Sequence, residues 1–356
     1  MREWLRRILG PAIATLLALI AGAALMLVFR SNPLAAYGAL LQGGLGSAQG
    51  VAETLVQATP LLFAGLGVAI AFRAGLFNIG AEGQLVVGAL CAAVAGAALH
   101  LPKPIEVPLC LMAGMAGGAA WSSIAGILRA RFGASEVITT IMLNYVAFLG
   151  ANYLVAGPLR GVQAAPETAE IAHTAQLAPL IADTRLTAAL PLAIVTALLL
   201  AWWLRRTVAG YELRAVGRSE RAARYAGINV AGTIVKAMAL SGALAGLAGA
   251  TEVLGLVHRF NAQLSPGYGF TSIAVALLAN SNPIGVIVSA LFFGLLQNGA
   301  LSMQALAGVP KDLVSVVEGL VILFVAANWL GERVRLRGTA AALAPGAEAA
   351  GEAAAP

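Results

Sequence analysis

The chain has 356 residues and a formal net charge of +6, with 60% hydrophobic and only 11% charged residues. A soluble domain carries about a quarter charged residues, because its surface must face water, so this composition excludes an ordinary soluble enzyme. The apolar residues form long runs of about 20 residues, which match the ~30 Å hydrocarbon core of a bilayer. Backbone amides in lipid must be satisfied within their own segment, so these runs predict an all-α polytopic membrane protein.

The first apolar run follows a basic N-terminus and is too long for the apolar part of a signal peptide. We expect it to be an uncleaved span, the first of about ten transmembrane helices. The predicted spans are Ile8–Phe29, Thr54–Phe72, Gln84–Leu99, Val107–Leu128, Val137–Val155, Ala188–Leu204, Val230–Ala250, Tyr268–Ala279, Pro283–Leu296 and Leu313–Leu330. Residues 1–337 then form a single transmembrane domain. Residues 338–356 are rich in Ala, Gly and Pro, which predicts a disordered cytoplasmic tail.

The basic residues are distributed unevenly between the two sides of this predicted topology. Six of the 22 fall on the outer side, namely Arg30, Lys103, Arg160, Arg185, Arg259 and Lys311. The other sixteen fall on the inner side, and basic residues favour the cytoplasmic side of a membrane. We therefore expect both termini to be cytoplasmic, and the basic charge is explained without a nucleic-acid partner.

The most charged part of the chain is the predicted inner segment from Arg205 to Asn229. Ser219 is a good N-cap, Glu220 suits the first turn of a helix and can pair with Arg224, and Gly227 can end the helix. We expect a capped helix of about two turns, whose exposed Ala222, Ala223, Tyr225 and Ala226 suit insertion into a groove of a partner. An ordinary basic loop is the alternative interpretation.

Polar residues interrupt the apolar pattern at two places. Asn78, Glu82 and Gln84 lie in a glycine-rich stretch between two runs, where they either line an aqueous path or brace a re-entrant turn. The short span from Tyr268 is followed by Asn-Ser-Asn-Pro, which is typical of a broken helix near a transport path. Including other polar residues in the spans, the candidates for the solute pathway are Asn78, Glu82, Gln84, Asn144, Tyr145, Tyr268, Asn280 and Asn282. For any one of them, hydrogen bonding between helices is the alternative role.

The sequence predicts no catalytic residue and no metal site. It has no Gly-Lys-Ser or Gly-Lys-Thr phosphate loop, no catalytic triad, and no ligand spacing around its histidines. Few ionisable residues lie deep in the spans, Glu318 being the clearest, which favours an external energy source over a proton or sodium gradient. A stand-alone secondary transporter or channel for a small polar solute stays open as the alternative.

Four segments carry a resemblance to a known family. They are residues 73–84, 131–145, 213–228 and 267–285, in this order along the chain. Together they resemble the permease subunits of bacterial nucleoside and simple-sugar ABC importers, a group similar to branched-chain amino acid and ribose permeases. The resemblance extends over most of the chain and excludes the tail.

The resemblance implies a multi-pass protein of the bacterial inner membrane with several partners. These are a cytoplasmic ABC ATPase that binds the ATP and Mg²⁺, a second permease subunit, and a solute-binding lipoprotein or periplasmic protein. This chain would bind no cofactor. The ATPase would contact a coupling loop made by Arg214, Arg218, Ser219, Glu220, Arg221, Arg224, Tyr225 and Gly227. The polar outer loop from Gly157 to Thr187 is the candidate for receiving the solute-binding protein.

Overall fold

The computed structural model describes residues 2–162, 165–310, 312–321 and 323–324, with the backbone alone for residues 2–12. Twelve α-helices have defined bounds in these ranges: α1 Arg2–Val28, α2 Pro33–Leu45, α3 Ala48–Arg73, α4 Ala81–Ala98, α5 Lys103–Phe132, α6 Glu136–Ala156, α7 Ala189–Arg206, α8 Val208–Arg218, α9 Glu220–Tyr225, α10 Val230–Glu252, α11 Tyr268–Leu278 and α12 Pro283–Ala307. A 3₁₀ turn covers His173–Ala175, and a π-helical turn, Val253–Val257, follows α10. Residues 312–321 are also helical. The all-α prediction is confirmed, since no strand occurs in the described ranges.

Every predicted span corresponds to a helix in the described residues. Seven of these helices are long and apolar enough to cross a membrane: α3 to α7, α10 with its π turn, and α12. Two shorter apolar helices, Ile13–Val28 and Tyr268–Leu278, accompany them, so ten is an approximate count of the crossings. Residues 322 and 325–330 of the last predicted span and the tail at 338–356 lie outside the described residues.

The sequence prediction was incomplete for two helices, α12 and α2, for identifiable reasons. Helix α12 continues to Ala307, well beyond the predicted end at Leu296, because Asn298 is accommodated inside it. The Asn298 amide donates to the Gly50 oxygen at 2.9 Å and to the Thr54 hydroxyl at 3.0 Å. Helix α2 was not predicted, because its 13 residues are too few for a membrane span.

Helices α4, α5 and α10 form a close-packed group, in line with the small-residue pattern of the sequence. A Cβ atom on Gly88 would overlap the backbone of Gly246, and one on Gly118 would overlap the oxygen of Gly242. Glycines at such positions let helix backbones touch in lipid, where the hydrophobic effect does not drive helices together. These three helices therefore form a tightly packed unit.

Helix α3 occupies the centre of the bundle, since 83% of the residues in its most apolar 18-residue stretch are buried. It contacts α10, α11 and α12 extensively, whereas only 22–33% of the residues in the most apolar stretches of α5, α6 and α7 are fully buried. One end of the bundle carries the segment 157–188, and we call it the loop end. The other carries α8 and α9, and we call it the α9 end. Helix α3 runs from the loop end to the α9 end.

Candidate functional site

The turn between α3 and α4 folds back into the bundle around the buried side chain of Asn78. The Asn78 Oδ1 accepts hydrogen bonds from the Gly80 amide at 2.9 Å and the Gln84 side chain at 3.0 Å. Its Nδ2 donates to Gln84 Oε1 at 3.0 Å and to the Ser241 hydroxyl at 2.9 Å. Since Ser241 lies about halfway along α10, this turn reaches toward the middle of the bundle.

Helix α6 holds the same turn from another side. The Asn144 Oδ1 accepts from the Gly83 amide at 2.8 Å, and its Nδ2 donates to the Ile79 oxygen at 3.0 Å. The Ile79 amide in turn donates to the Thr140 hydroxyl at 3.3 Å. These contacts fit the interpretation of the polar residues as a brace for a re-entrant turn. Contact of Asn78, Gln84 or Asn144 with a solute stays a prediction.

The N-termini of α4 and α11 meet at Glu82. The Glu82 side chain is buried, and its Oε2 accepts a 2.6 Å hydrogen bond from the Gly269 amide in the first turn of α11. The carboxylate thus satisfies an unpaired donor at the positive end of a helix dipole. Helix α11 has 11 residues and spans roughly 16 Å, about half the hydrocarbon core, so it is a half-length helix that begins inside the bundle.

Tyr268, the first residue of α11, connects this junction to α3. Its side chain is 5% exposed, and its hydroxyl donates a 2.6 Å hydrogen bond to Gln57 Oε1. Gln57 lies one helical turn after Glu53 on α3. A polar cluster therefore extends from Glu82 towards the loop end.

Besides Gln57, an amide within the second predicted span, three residues of this cluster were not among the sequence candidates. The Arg185 guanidinium forms a two-pronged ion pair with the Glu53 carboxylate, with Nε at 3.3 Å from Oε2. Glu252, the last residue of α10, is 5% exposed and lines a small cavity beneath Arg185. Of these three residues, only Glu252 stands out in the sequence, as a carboxylate at the end of an apolar run.

Three predicted candidates lie away from this cluster. Tyr145 is 61% exposed on the outward face of α6. Asn280 and Asn282 lie in the turn between α11 and α12 at the α9 end, where Asn282 Oδ1 accepts from the Ile284 amide at 3.3 Å and caps α12. The structure thus brings together Glu82 and Tyr268, with the neighbouring Asn78 brace, but not these three.

The predicted capped helix is present as α9. The Ser219 hydroxyl accepts from the Ala222 amide at 3.2 Å, and Gly227 has a φ of +79° directly after the helix. Tyr225 is 94% exposed. Two details of the prediction were wrong: Ala223 is 3% exposed because it packs into the core, and Glu220 pairs with Arg129 at 3.3 Å instead of Arg224.

The other residues of the predicted coupling loop surround α9. Arg218, Arg221 and Arg224 are exposed, so their guanidinium groups face outward from the α9 end. Arg214 is half-buried in α8, where its Nε donates to the Gly210 oxygen at 3.2 Å. A short helix that is fixed by its caps and exposes an aromatic ring next to arginines is suited to contact a second protein.

Comparison with known proteins is consistent with this architecture. The family described as "Branched-chain amino acid transport system / permease component" matches residues 50–326. The guanosine ABC transporter permease protein NupP of Bacillus subtilis is 43% identical over 335 residues, which cover 92% of this chain and 96% of the relative. The glucose ABC transporter permease protein TsgB13 of Haloferax volcanii is 36% identical, covering 92% of this chain and 89% of the relative.

A third relative is the nucleoside ABC transporter permease protein NupB of Lactococcus lactis. It is 35% identical over 343 residues, which cover 93% of this chain and 94% of the relative. All of these similarities run through the re-entrant turn, the α9 segment and the junction of α4 with α11. The chain is a multi-pass ABC-type permease subunit and belongs to the family of branched-chain amino acid transport system permease components.

Proposed function

We propose that this permease imports nucleosides, with simple sugars as the next candidate class. The observation that carries the proposal is the similarity to a guanosine permease over nearly the whole length of both chains. The polar cluster around Tyr268, Gln57 and Glu82 supports it, because amide, phenol and carboxylate groups can hydrogen-bond a neutral polar solute.

The same proposal assigns the energy source to a separate cytoplasmic ATPase, which binds the ATP and Mg²⁺ and docks on α9. Support comes from the exposure of Arg221, Arg224 and Tyr225 on a helix fixed at both ends. This chain then needs no cofactor of its own. A second permease subunit completes the pore, as the resemblance of the sequence to nucleoside and simple-sugar importers implies.

Orientation follows from the basic residues. Arginines concentrate at the α9 end, which we assign to the cytoplasm together with both chain termini. The loop end then faces outward from the bacterial inner membrane. There the segment 157–188 is the surface on which a solute-binding lipoprotein or periplasmic protein would deliver its cargo.

The test is uptake of radiolabelled guanosine, with glucose in parallel, into vesicles that contain this chain, its ATPase and its second permease, with the binding protein outside. The variant Arg221→Ala/Arg224→Ala/Tyr225→Ala should lose about tenfold or more of the uptake, because hot-spot residues of an interface carry most of its binding energy. It should also lose the solute-stimulated part of the ATPase activity.

A matched control is Arg131→Ala/Arg205→Ala, which removes exposed arginines of the same end that lie on α5 and α7. This control should retain uptake. Full uptake by the α9 variant would contradict the docking role, whereas lack of guanosine uptake by the unmodified complex would contradict the substrate assignment.

A further inference from the structure

Resting on the proposed function, we infer that the Glu53–Arg185 ion pair is an outer gate over a solute site at Thr59 and Glu252, in the cavity beneath the pair. The gate lies at the loop end, and the hydrogen bonds of Tyr268 with Gln57 and of Gly269 with Glu82 connect α3 below it to the junction of α4 and α11. The site accepts a neutral solute that donates hydrogen bonds, such as the hydroxyl groups of a sugar or nucleoside.

The first step of the argument is the cavity beneath the pair. It is lined by Arg185 itself, by Val56 and Thr59 of α3, and by Thr251 and Glu252 of α10. Its volume is about 10 Å³, which is the space of roughly one water molecule. A solute enters only if one wall moves, so the structure corresponds to a closed state of this site.

The second step is the carboxylate of Glu252. The residue is 5% exposed and lines the cavity, and none of the hydrogen bonds among the described residues uses its carboxylate. Buried polar groups in native proteins are normally hydrogen-bonded. A carboxylate accepts hydrogen bonds, so its partner is a donor. One water molecule fits this role in the closed cavity, and a hydroxyl-bearing solute replaces it when the gate is open.

The third step is the backbone on either side of the gate. Arg185 lies on a tight hairpin, in which the Leu180 amide donates to the Leu186 oxygen at 2.7 Å. The hairpin rests on the π-helical turn that directly follows Glu252, where the Leu177 amide donates to the Leu254 oxygen at 2.8 Å. Turns of this type are frequent at functional sites in helices, so this segment is suited to shift when the hairpin moves.

The fourth step is the strength of the pair. The Arg185 side chain is 65% exposed and that of Glu53 is 23% exposed. Ion pairs with this degree of exposure contribute little to stability. The pair therefore closes the site in a defined geometry and still opens readily when a binding protein docks on the loop end.

The gate can be tested by thiol accessibility, without any transport measurement. In a chain with Cys91→Ala and Cys110→Ala, Thr59→Cys places a reporter on the cavity wall, and a charged methanethiosulfonate reagent is added from the loop end. Arg185→Gln should raise the labelling rate about tenfold, which reflects a shift towards the open state. The exchanged pair Glu53→Arg/Arg185→Glu should restore slow labelling.

The matched control for the gate is Asp183→Asn, which removes an exposed charge of the same hairpin that has no ion pair among the described residues. Its labelling rate should equal that of the parent. Equal rates in the parent, the Arg185→Gln variant and the exchanged pair would overturn the gate.

The solute site has its own readout. Guanosine should slow the labelling of Thr59→Cys in the Arg185→Gln background, and Glu252→Gln should abolish this protection and raise the KM for uptake about tenfold. Glu252→Asp is the second variant if Glu252→Gln does not fold, and Glu170→Gln at the loop end is the control. Protection that survives both substitutions overturns the site. Guanosine uptake by the parent complex in that case leaves the proposed function intact.

Discussion

The Arg73 Nε atom donates a 2.7 Å hydrogen bond to the main-chain oxygen of Ser281. This contact joins the end of α3 to the turn between α11 and α12 at the α9 end. Gly217 of α8 packs directly against the backbone of Arg73, where a Cβ atom would overlap the Arg73 oxygen. Because α8 leads into α9, a short chain of contacts joins α9 to the end of α3, where the re-entrant turn begins, and to the turn between α11 and α12.

Arg73→Ala should therefore weaken coupling while leaving the ATPase bound. We expect uptake to fall by about 2–30-fold, which corresponds to the 0.5–2 kcal/mol typical of residues between two coupled sites. The measurement is guanosine uptake beside pull-down of the ATPase, with Arg131→Ala as the control at the same end. Unchanged uptake would show that the turns are not part of the coupling route.

Gly269→Ala should destabilise the junction of α4 and α11. A Cβ atom at Gly269 would overlap the backbone nitrogen and Cα of Glu82, and overpacking typically costs about 1–3 kcal/mol. The melting temperature in detergent should fall, and uptake should fall with it. Gly150→Ala on α6 is the control, since a Cβ atom there meets nothing within 4 Å. Equal melting temperatures for the two variants would contradict the close approach.

Ser219→Ala should loosen α9 without changing the residues that face the ATPase. The substitution removes the acceptor of the Ala222 amide, and loss of an N-cap costs about 1 kcal/mol. We expect a partial loss of solute-stimulated ATPase activity, measured in the reconstituted complex. Ser219→Asp retains a capping acceptor and should retain the activity. If both variants behave alike, the cap has no role in coupling.

His258 should make the stability of the loop end depend on pH. Burial lowers the pKa of its imidazole below the ordinary 6.5, an effect strengthened by His173 and Arg259 and opposed by Glu170. The unfolded chain then binds the proton more readily than the folded chain. The contribution of the neutral His258 to the free energy of unfolding is therefore fully present above pH 6.5 and is lost as the pH falls from there through the folded pKa.

His258→Gln should reduce the dependence of this stability on pH. The measurement is the melting temperature in detergent between about pH 7 and pH 5, around the ordinary titration range of histidine. His100→Gln, at another exposed loop, is the control and should keep the slope of the parent. A parent protein without any slope in this range would contradict the prediction.

The existence of most helices could be predicted because bilayer thickness imposes a length on apolar runs. Their ends were less predictable, since a polar residue looks like a boundary unless its partner is known. Asn298 is such a case, because Gly50 and Thr54 are far from it in sequence. Helix α2 had a usable signal, the Asn32 cap before Pro33, although it is too short for a span.

The site was predictable only where its residues share a local pattern. The glycine-rich stretch around Asn78 and Glu82 indicated a turn, and Ser219 predicted the N-cap of α9. The gate could not be predicted, because Glu53, Arg185 and Glu252 come from distant segments and each resembles an ordinary loop or span-end charge. They come together because α3 packs beside α10 and the hairpin that carries Arg185 rests on the π-helical turn after α10.

The glycine contacts among α4, α5 and α10 limit how this permease can change shape. Backbones in direct contact cannot slide or rotate past one another, because carbonyl groups of one helix fit between the Cα atoms of the next. These three helices should therefore move as one rigid body during transport. The rearrangement between outward-open and inward-open forms must then take place between this unit and the helices that surround it.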